Sequence, residues 1–210
     1  GSANPSIMTN PVWTWLVQSR INAYEASQRL DGPSSFNAGP GWCFDRFGQS
    51  KTCLPDGSVL WIGGEHEDWY DPDFYIYNDV VIQRPDRSIE ILGYPRDVFP
   101  PTDSHTATLL EGQVLVVGNL GYMESRRQDV TQLLRLDLTD FSIAHVPTQG
   151  NPPGWIHGHQ TILGEDGRSI FVRGGKLHRA DLDGALVENI DDWCLSLDTW
   201  NWELLTCRCW

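Results

Sequence analysis

Apolar positions along the chain come in short runs that end at glycine. Val59-Leu60-Trp61-Ile62 runs into Gly63-Gly64, Val114-Leu115-Val116-Val117 into Gly118-Asn119, and Ile170-Phe171-Val172-Arg173 into Gly174-Gly175. The last residues of these motifs lie 55 and 56 residues apart, a period that marks a chain built by repetition. Each copy predicts four short strands. The first spans 51–54, 105–110 and 159–163 in the three copies and precedes a tight turn. Those turns are Pro55-Asp56-Gly57, Glu111-Gly112 and Gly164-Glu165-Asp166-Gly167, which is hairpin chemistry. The second strand is the run that glycine stops, and a polar loop follows it. Third strands are predicted at 79–83, 132–138 and 192–197, and fourth strands at 88–92, 141–146 and 200–205. The last two copies align without a gap, residues 136–143 on 195–202.

Ahead of the repeats, Asn10-Pro11 is a cap and first-turn pair. Trp13, Leu16, Val17, Ile21 and Tyr24 then fall on one face at helical spacing. The pattern predicts one amphipathic helix over about 11–30, ended by Asp31-Gly32-Pro33. Its apolar stripe must be buried, against the repeats or against a partner.

Four strands per unit of about 50 residues is the signature of a propeller blade. The residues that carry a closer likeness are the Gly-Gly pairs, His105 and His159, Asn78-Asp79-Val80-Val81, and Asp198-Thr199-Trp200-Asn201-Trp202. On these the chain resembles the kelch-repeat family from about 34 to 206. The resemblance implies an all-β fold of three kelch-like four-stranded blades, a partial β-propeller, preceded by one N-terminal amphipathic helix. The expected division is a tail and helix at 1–33, then blades at about 34–92, 93–146 and 147–206, with a short tail to 210. The second copy departs with Asn119 in place of a glycine, which Asn tolerates best among other residues. The first copy has Ser50 at the place assigned to the histidine and lacks the fourth-strand tryptophan.

Three copies also fall short of the four to eight blades of a closed propeller. Blades pack face on face, so an open stack leaves an outer face on its first and third members. The helix could cap one. A second copy pairing twofold could complete a six-bladed ring, a different protein could dock, or the chain could be cut short of its full set of repeats.

Composition narrows the partners. A formal charge of −13 argues against nucleic acid and favours a basic protein, a cation, or plain solubility. Five cysteines without framework spacing suit a reduced, cytoplasmic chain, and no run approaches the roughly 20 apolar residues of a membrane span. Gly1-Ser2 reads as a cloning remnant and Met8 as a native start, with no signal peptide after it.

Candidate chemistry concentrates in the loops after each second strand (65–77, 121–131, 176–191) and in the links 93–104 and 147–158. In a four-stranded blade these emerge on one side, and loops on a rigid scaffold carry binding residues. Glu65-His66-Glu67-Asp68-Trp69-Tyr70-Asp71-Pro72-Asp73-Phe74-Tyr75 interleaves five carboxylates with aromatics. Such a stretch is a solvated loop, a contact for a basic protein, or a cation site without the spacing of a calcium loop. The partner face is expected at Glu65, Glu67, Asp68, Trp69, Tyr70, Asp71, Asp73, Tyr75, Tyr122 and Trp155. His157 and His159 are weak metal candidates, since residues two apart on a strand share a face. Cys207 and Cys209 form a weak thiolate pair.

No G-x-S-x-G, phosphate loop or H-E-x-x-H is present, and no cofactor is expected. The resemblance admits one enzyme class, the kelch-like copper radical oxidases. Their paired tyrosines, paired histidines and cross-linked cysteine find no recognisable counterpart here. The expectation is therefore non-catalytic protein binding, of the kind an immunity protein exerts on a basic toxin. The rival is a propeller-type enzyme or a carbohydrate- or metal-binding protein.

Overall fold

The computed structural model describes residues 1–30, 41–68 and 71–207. Among the described residues the architecture is mostly β, with two α-helices and several antiparallel sheets, none of them closed. Contacts divide the chain into two compact units, Gly1–Arg96 with Pro100–Asp103, and Asp97–Phe99 with Ser104–Trp210.

In the first unit, strands Ser50–Cys53, Val59–Ile62, Asp79–Gln83 and Ile89–Gly93 pair antiparallel in chain order. Ser6–Ile7 adds an unpredicted fifth strand against Leu92 and Gly93. Alternation sends Trp61, Val81 and Ile91 to one face, where helix α1 (Pro11–Ser19) sets Val17, and Phe44 joins them. Burying that face is what the apolar stripe of α1 is for. The opposite face, Leu60, Ile62, Val80, Ile82 and Leu92, is buried too.

The predicted single helix is two. Asn10 caps α1 as expected, its side chain accepting from the Val12 N–H at 2.9 Å. Arg20 then turns left-handed at φ 60°, and Asn22 caps α2 (Ala23–Arg29) by accepting from the Glu25 N–H at 2.8 Å. A second capping residue inside the apolar pattern overrides its period, and Tyr24 is left exposed. The Arg20 guanidinium packs 4.3 Å from the Phe44 ring. The expected stop at Asp31-Gly32-Pro33 lies outside the described residues.

The second unit holds two sheets of the same chain order. One is built from Thr106–Leu110, Gln113–Val117, Leu133–Asp137 and Ile143–His145. The other uses Gln160–Leu163, Ser169–Arg173, Trp193–Ser196 and Asn201–Leu204, with Gln149–Gly150 added parallel at its edge. Leu115, Val117 and Leu133 pack on Ile170, Val172, Trp193, Leu195 and Trp202. Thr108 and Thr161 join the two first strands at 3.1 Å. On the far face of the last sheet, Ile162, Phe171, Cys194 and Glu203 stand in one register row, with Ile162 48% exposed.

Fourth strands begin later than predicted. Phe141 and Trp200 lie in left-handed turns at φ 58° and 54°, so pairing starts at Ile143 and Asn201. In the first of these turns Asp140 accepts from the Ser142 N–H at 2.8 Å; Asp86 does the same for Ser88 at 2.9 Å. Register also corrects one repeat assignment. Ser50 pairs with Ile62 as Thr106 pairs with Val117, so the counterpart of His105 is Gln49, not Ser50. Turn lengths differ between the copies, and counting along the chain slips by one.

The glycine stops reflect crowding. A Cβ on Gly118, at φ +76°, would meet His159 Cε1 and the Ile156 carbonyl oxygen at 2.5 Å each. Gly112 has a similar φ of +69° but open space around it. Gly118→Ala should therefore cost about 1–3 kcal/mol, combining backbone strain with overlap, and Gly112→Ala about 1 kcal/mol from strain alone. Thermal melts of the two variants check this; equal losses would remove the crowding argument.

Candidate functional site

The acidic stretch, expected as a loop, is a hairpin. Glu65–Asp68 pairs antiparallel with Asp71–Ile76, with an irregularity in register between His66 and Asp68. Alternation of Glu65, Glu67 and of Asp73, Tyr75 with other residues is a strand pattern that the run of charges concealed. Glu65 is tied to Phe47 by two backbone hydrogen bonds of 2.8 and 2.9 Å.

Its side chains fall into different surroundings. Glu67 and Phe74 are exposed. Glu65 is half-buried, its Oε2 meets no hydrogen-bond donor among the described residues, and desolvation, with Asp103 and Glu67 nearby, raises its pKa. Tyr75 stands edge-on to Tyr77 at 4.9 Å and its hydroxyl takes a 3.3 Å hydrogen bond from Arg96. Asp68 and Asp71 are paired in register at the hairpin end, and Asp73 lies on its second strand. Trp69 and Tyr70 lie outside the described residues.

The other loops are also more structured than expected. Lys176–Arg179 and Ala185–Glu188 form a hairpin, and Ile156–His157 of the preceding link joins it as a third strand. The Gln128 side chain accepts from the Ala180 N–H at 2.9 Å, so in the second unit these two loops meet. Tyr122 is half-buried ahead of the turn Met123–Ser125. Trp155 corrects the expected partner face. It is 6% exposed and its indole N–H donates to the Leu120 carbonyl at 3.0 Å, so it pins the loops together and offers no surface.

His105, His157, His159 and His178 are buried. His159 Nε2 lies 3.1 Å from Thr106 Oγ1 across the two first strands. Burial lowers His105 to about 3, with His159 adding to it, and lowers His159 to about 4, with His157 adding. His157 falls to about 4 through burial, then Arg126 and Lys176. Among the described residues no group of three or more His, Cys, Asp or Glu could hold a metal ion. The Cys207 and Cys209 pair reaches outside the described residues.

Sequence reasoning missed a second cluster, in the first unit. Arg46 has a fully buried side chain and donates to both Asp79 oxygens, to the Gly63 carbonyl at 2.9 Å and to the Cys43 carbonyl at 2.7 Å. Its guanidinium lies 3.5 Å from the centre of the Tyr77 ring. The Trp42 indole N–H donates to Asp79 Oδ2 at 2.8 Å, and Trp13 stacks on Trp42 at 5.1 Å with 13° between planes. Tyr77 donates to the Gly41 carbonyl at 3.0 Å and accepts from the Cys43 N–H at 3.1 Å, and burial pushes its hydroxyl far above the ordinary range. One signal was present: Trp42-Cys43-Phe44-Asp45-Arg46 places a cation among aromatics in a chain with only fifteen basic residues.

A scan against protein-family models and a search of curated proteins find no match for this chain. Among the described residues no helix is long and apolar enough to cross a membrane.

The histidines give a pH prediction. The unfolded chain protonates these rings near 6.5, whereas the folded chain resists until about 3 to 4. Stability is thus full above about pH 6.5 and falls as pH drops towards 4. Denaturant midpoints measured across that range should decline. A flat profile would mean the rings are solvated in the folded state.

Proposed function

We propose that this chain is a non-catalytic protein-binding module, built on kelch-like blades, that takes a basic partner on its acidic hairpin. The observation that carries the reading is that the five-carboxylate stretch is strand-paired rather than a loop, and exposes Glu67 on its first strand and an aromatic, Phe74, on its second. Paired backbone lowers the ordering cost of binding, and a stretch rich in carboxylates and aromatics suits a cationic surface. The chain-order pairing of four strands in three sheets supports the kelch-like assignment. The net charge of −13 supports an immunity-type role, neutralising a basic toxin in the cytoplasm. The exposed row around Ile162 on the last sheet supports completion of the stack by a partner or by a second copy.

The test is capture from the native source by the wild-type chain and by Glu67→Gln/Asp68→Asn/Asp71→Asn/Asp73→Asn. The wild type should retain a basic protein in a salt-sensitive manner. The variant should lose at least about tenfold in affinity, or about 1.4 kcal/mol, with its melting temperature kept. Equal capture by both would take the hairpin out of the interface, and no retained protein would overturn the binding-module reading.

A further inference from the structure

The second unit carries a groove that neither the acidic hairpin nor the buried histidines explain. It opens where the strands turn, at the end of the two sheets opposite their glycine stops. The first turns of both sheets, 110–113 and 163–170, and the last turn of the second, 196–201, surround it. Its volume is about 640 Å³, inside the roughly 300–1,000 Å³ of small-molecule sites. Leu110, Leu163, Leu197 and Trp200 give it apolar walls, and Glu111 and Gln113 are its polar lining. Apolar walls with a few polar groups are the usual make-up of such a site.

The Trp200 ring is available to a ligand. It is half-buried against the core of the unit, and among the described residues no aromatic ring or cation stacks on it. Its backbone sits at φ 54°, a left-handed dihedral that glycine favours and a bulky side chain occupies at a cost.

Charge decides the class of ligand. Glu111 is the one charged side chain lining the groove, and among the described residues no cation pairs with it. The neighbours of the lining residues in sequence and register add Asp137, Glu165, Asp166 and Asp198. Against them stands Arg168, which is already paired with Asp198 at 2.7 Å. An anion would meet repulsion here. A neutral apolar ligand would cover the leucines and leave Glu111 unanswered. An organic ammonium ion answers both, with hydrocarbon for the leucines and a cation for the carboxylate and the indole face.

We infer that this groove binds a small aryl- or alkylammonium ion, its apolar body against Leu110, Leu163 and Leu197 and its charge drawn to Glu111 and the Trp200 ring. The inference stands apart from the proposed protein partner, because the groove lies wholly in the second unit and uses no residue of the acidic hairpin.

The groove is open, so a dissociation constant in the millimolar range, about 1 mM, is expected. The experiment is saturation-transfer NMR with calorimetry on the full chain. The probes are 2-phenylethylamine, 2-phenylethanol and phenylacetate, which share one shape and carry positive, zero and negative charge at neutral pH. The amine should saturate, the alcohol should bind about fivefold more weakly, and phenylacetate should not bind. Added salt should weaken the amine and leave the alcohol unchanged. Glu111→Gln should weaken the amine about threefold with the alcohol unaffected, and Trp200→Leu should weaken both. Melting temperatures check that each variant is folded, and Glu111→Gln, on an exposed turn, keeps the test open if Trp200→Leu does not fold. Equal affinity for amine and alcohol would overturn the assignment, as would an amine affinity that Glu111→Gln or a folded Trp200→Leu leaves unchanged. Absence of saturable amine binding would overturn it too.

Discussion

A guanidinium sealed from water must be answered by a carboxylate, and the first unit is arranged around one such pair. Arg46 is fully buried and grips Asp79, the first residue of the third strand of its sheet. Its remaining donors reach the carbonyls of Gly63, where the second strand stops, and of Cys43. One side chain thereby fixes where the second strand ends, where the third begins, and how the 41–46 segment lies over both. Gly64 is crowded beside the same arginine: at φ +94°, a Cβ there would meet the Gln49 Cβ at 2.8 Å and the Arg46 Cβ at 2.9 Å. The glycine that looked like a strand terminator is a clearance for the 46–49 segment.

Polar pairs also stand at the other two glycine stops, neutral in one and more exposed in the other. In the second copy Asn119 donates to the Gln132 side chain at 3.2 Å, a neutral and buried bond. In the third, Arg173 and Asp192 pair at 3.3 Å with half-exposed side chains, where such pairs contribute little. Only the first copy buries the charged form. That is also where the aromatic rings gather, because Arg46 and Asp79 hold Trp42 and Tyr77 in place.

Strand positions were legible because alternation and glycine stops are local signals. Twelve expected strands are found, with ends shifted where a turn residue such as Phe141 or Trp200 adopts a left-handed dihedral. The hairpin at 65–76 was hidden because charge on alternate positions reads as a loop when hydrophobicity is the guide. Asn22 was hidden because a cap inside a helical stripe counts only as one polar residue. The Arg46–Asp79 pair joins residues 33 apart in sequence, and no periodicity links them. Trp155 was misplaced on the partner face for a related reason, since its burial depends on a carbonyl in another loop, that of Leu120.

If the buried pair organises the first unit, its two halves must be strongly coupled. The most direct measurement is a double-mutant cycle by denaturant unfolding, using Asp79→Leu, Arg46→Met and both together. Removing Asp79 alone strands the guanidinium and should cost about 3–5 kcal/mol, while the double variant should recover most of that loss. Additive single losses, or an Asp79→Leu cost below about 1 kcal/mol, would contradict the claim that this pair holds the sheet, the glycine stop and the aromatic cluster together.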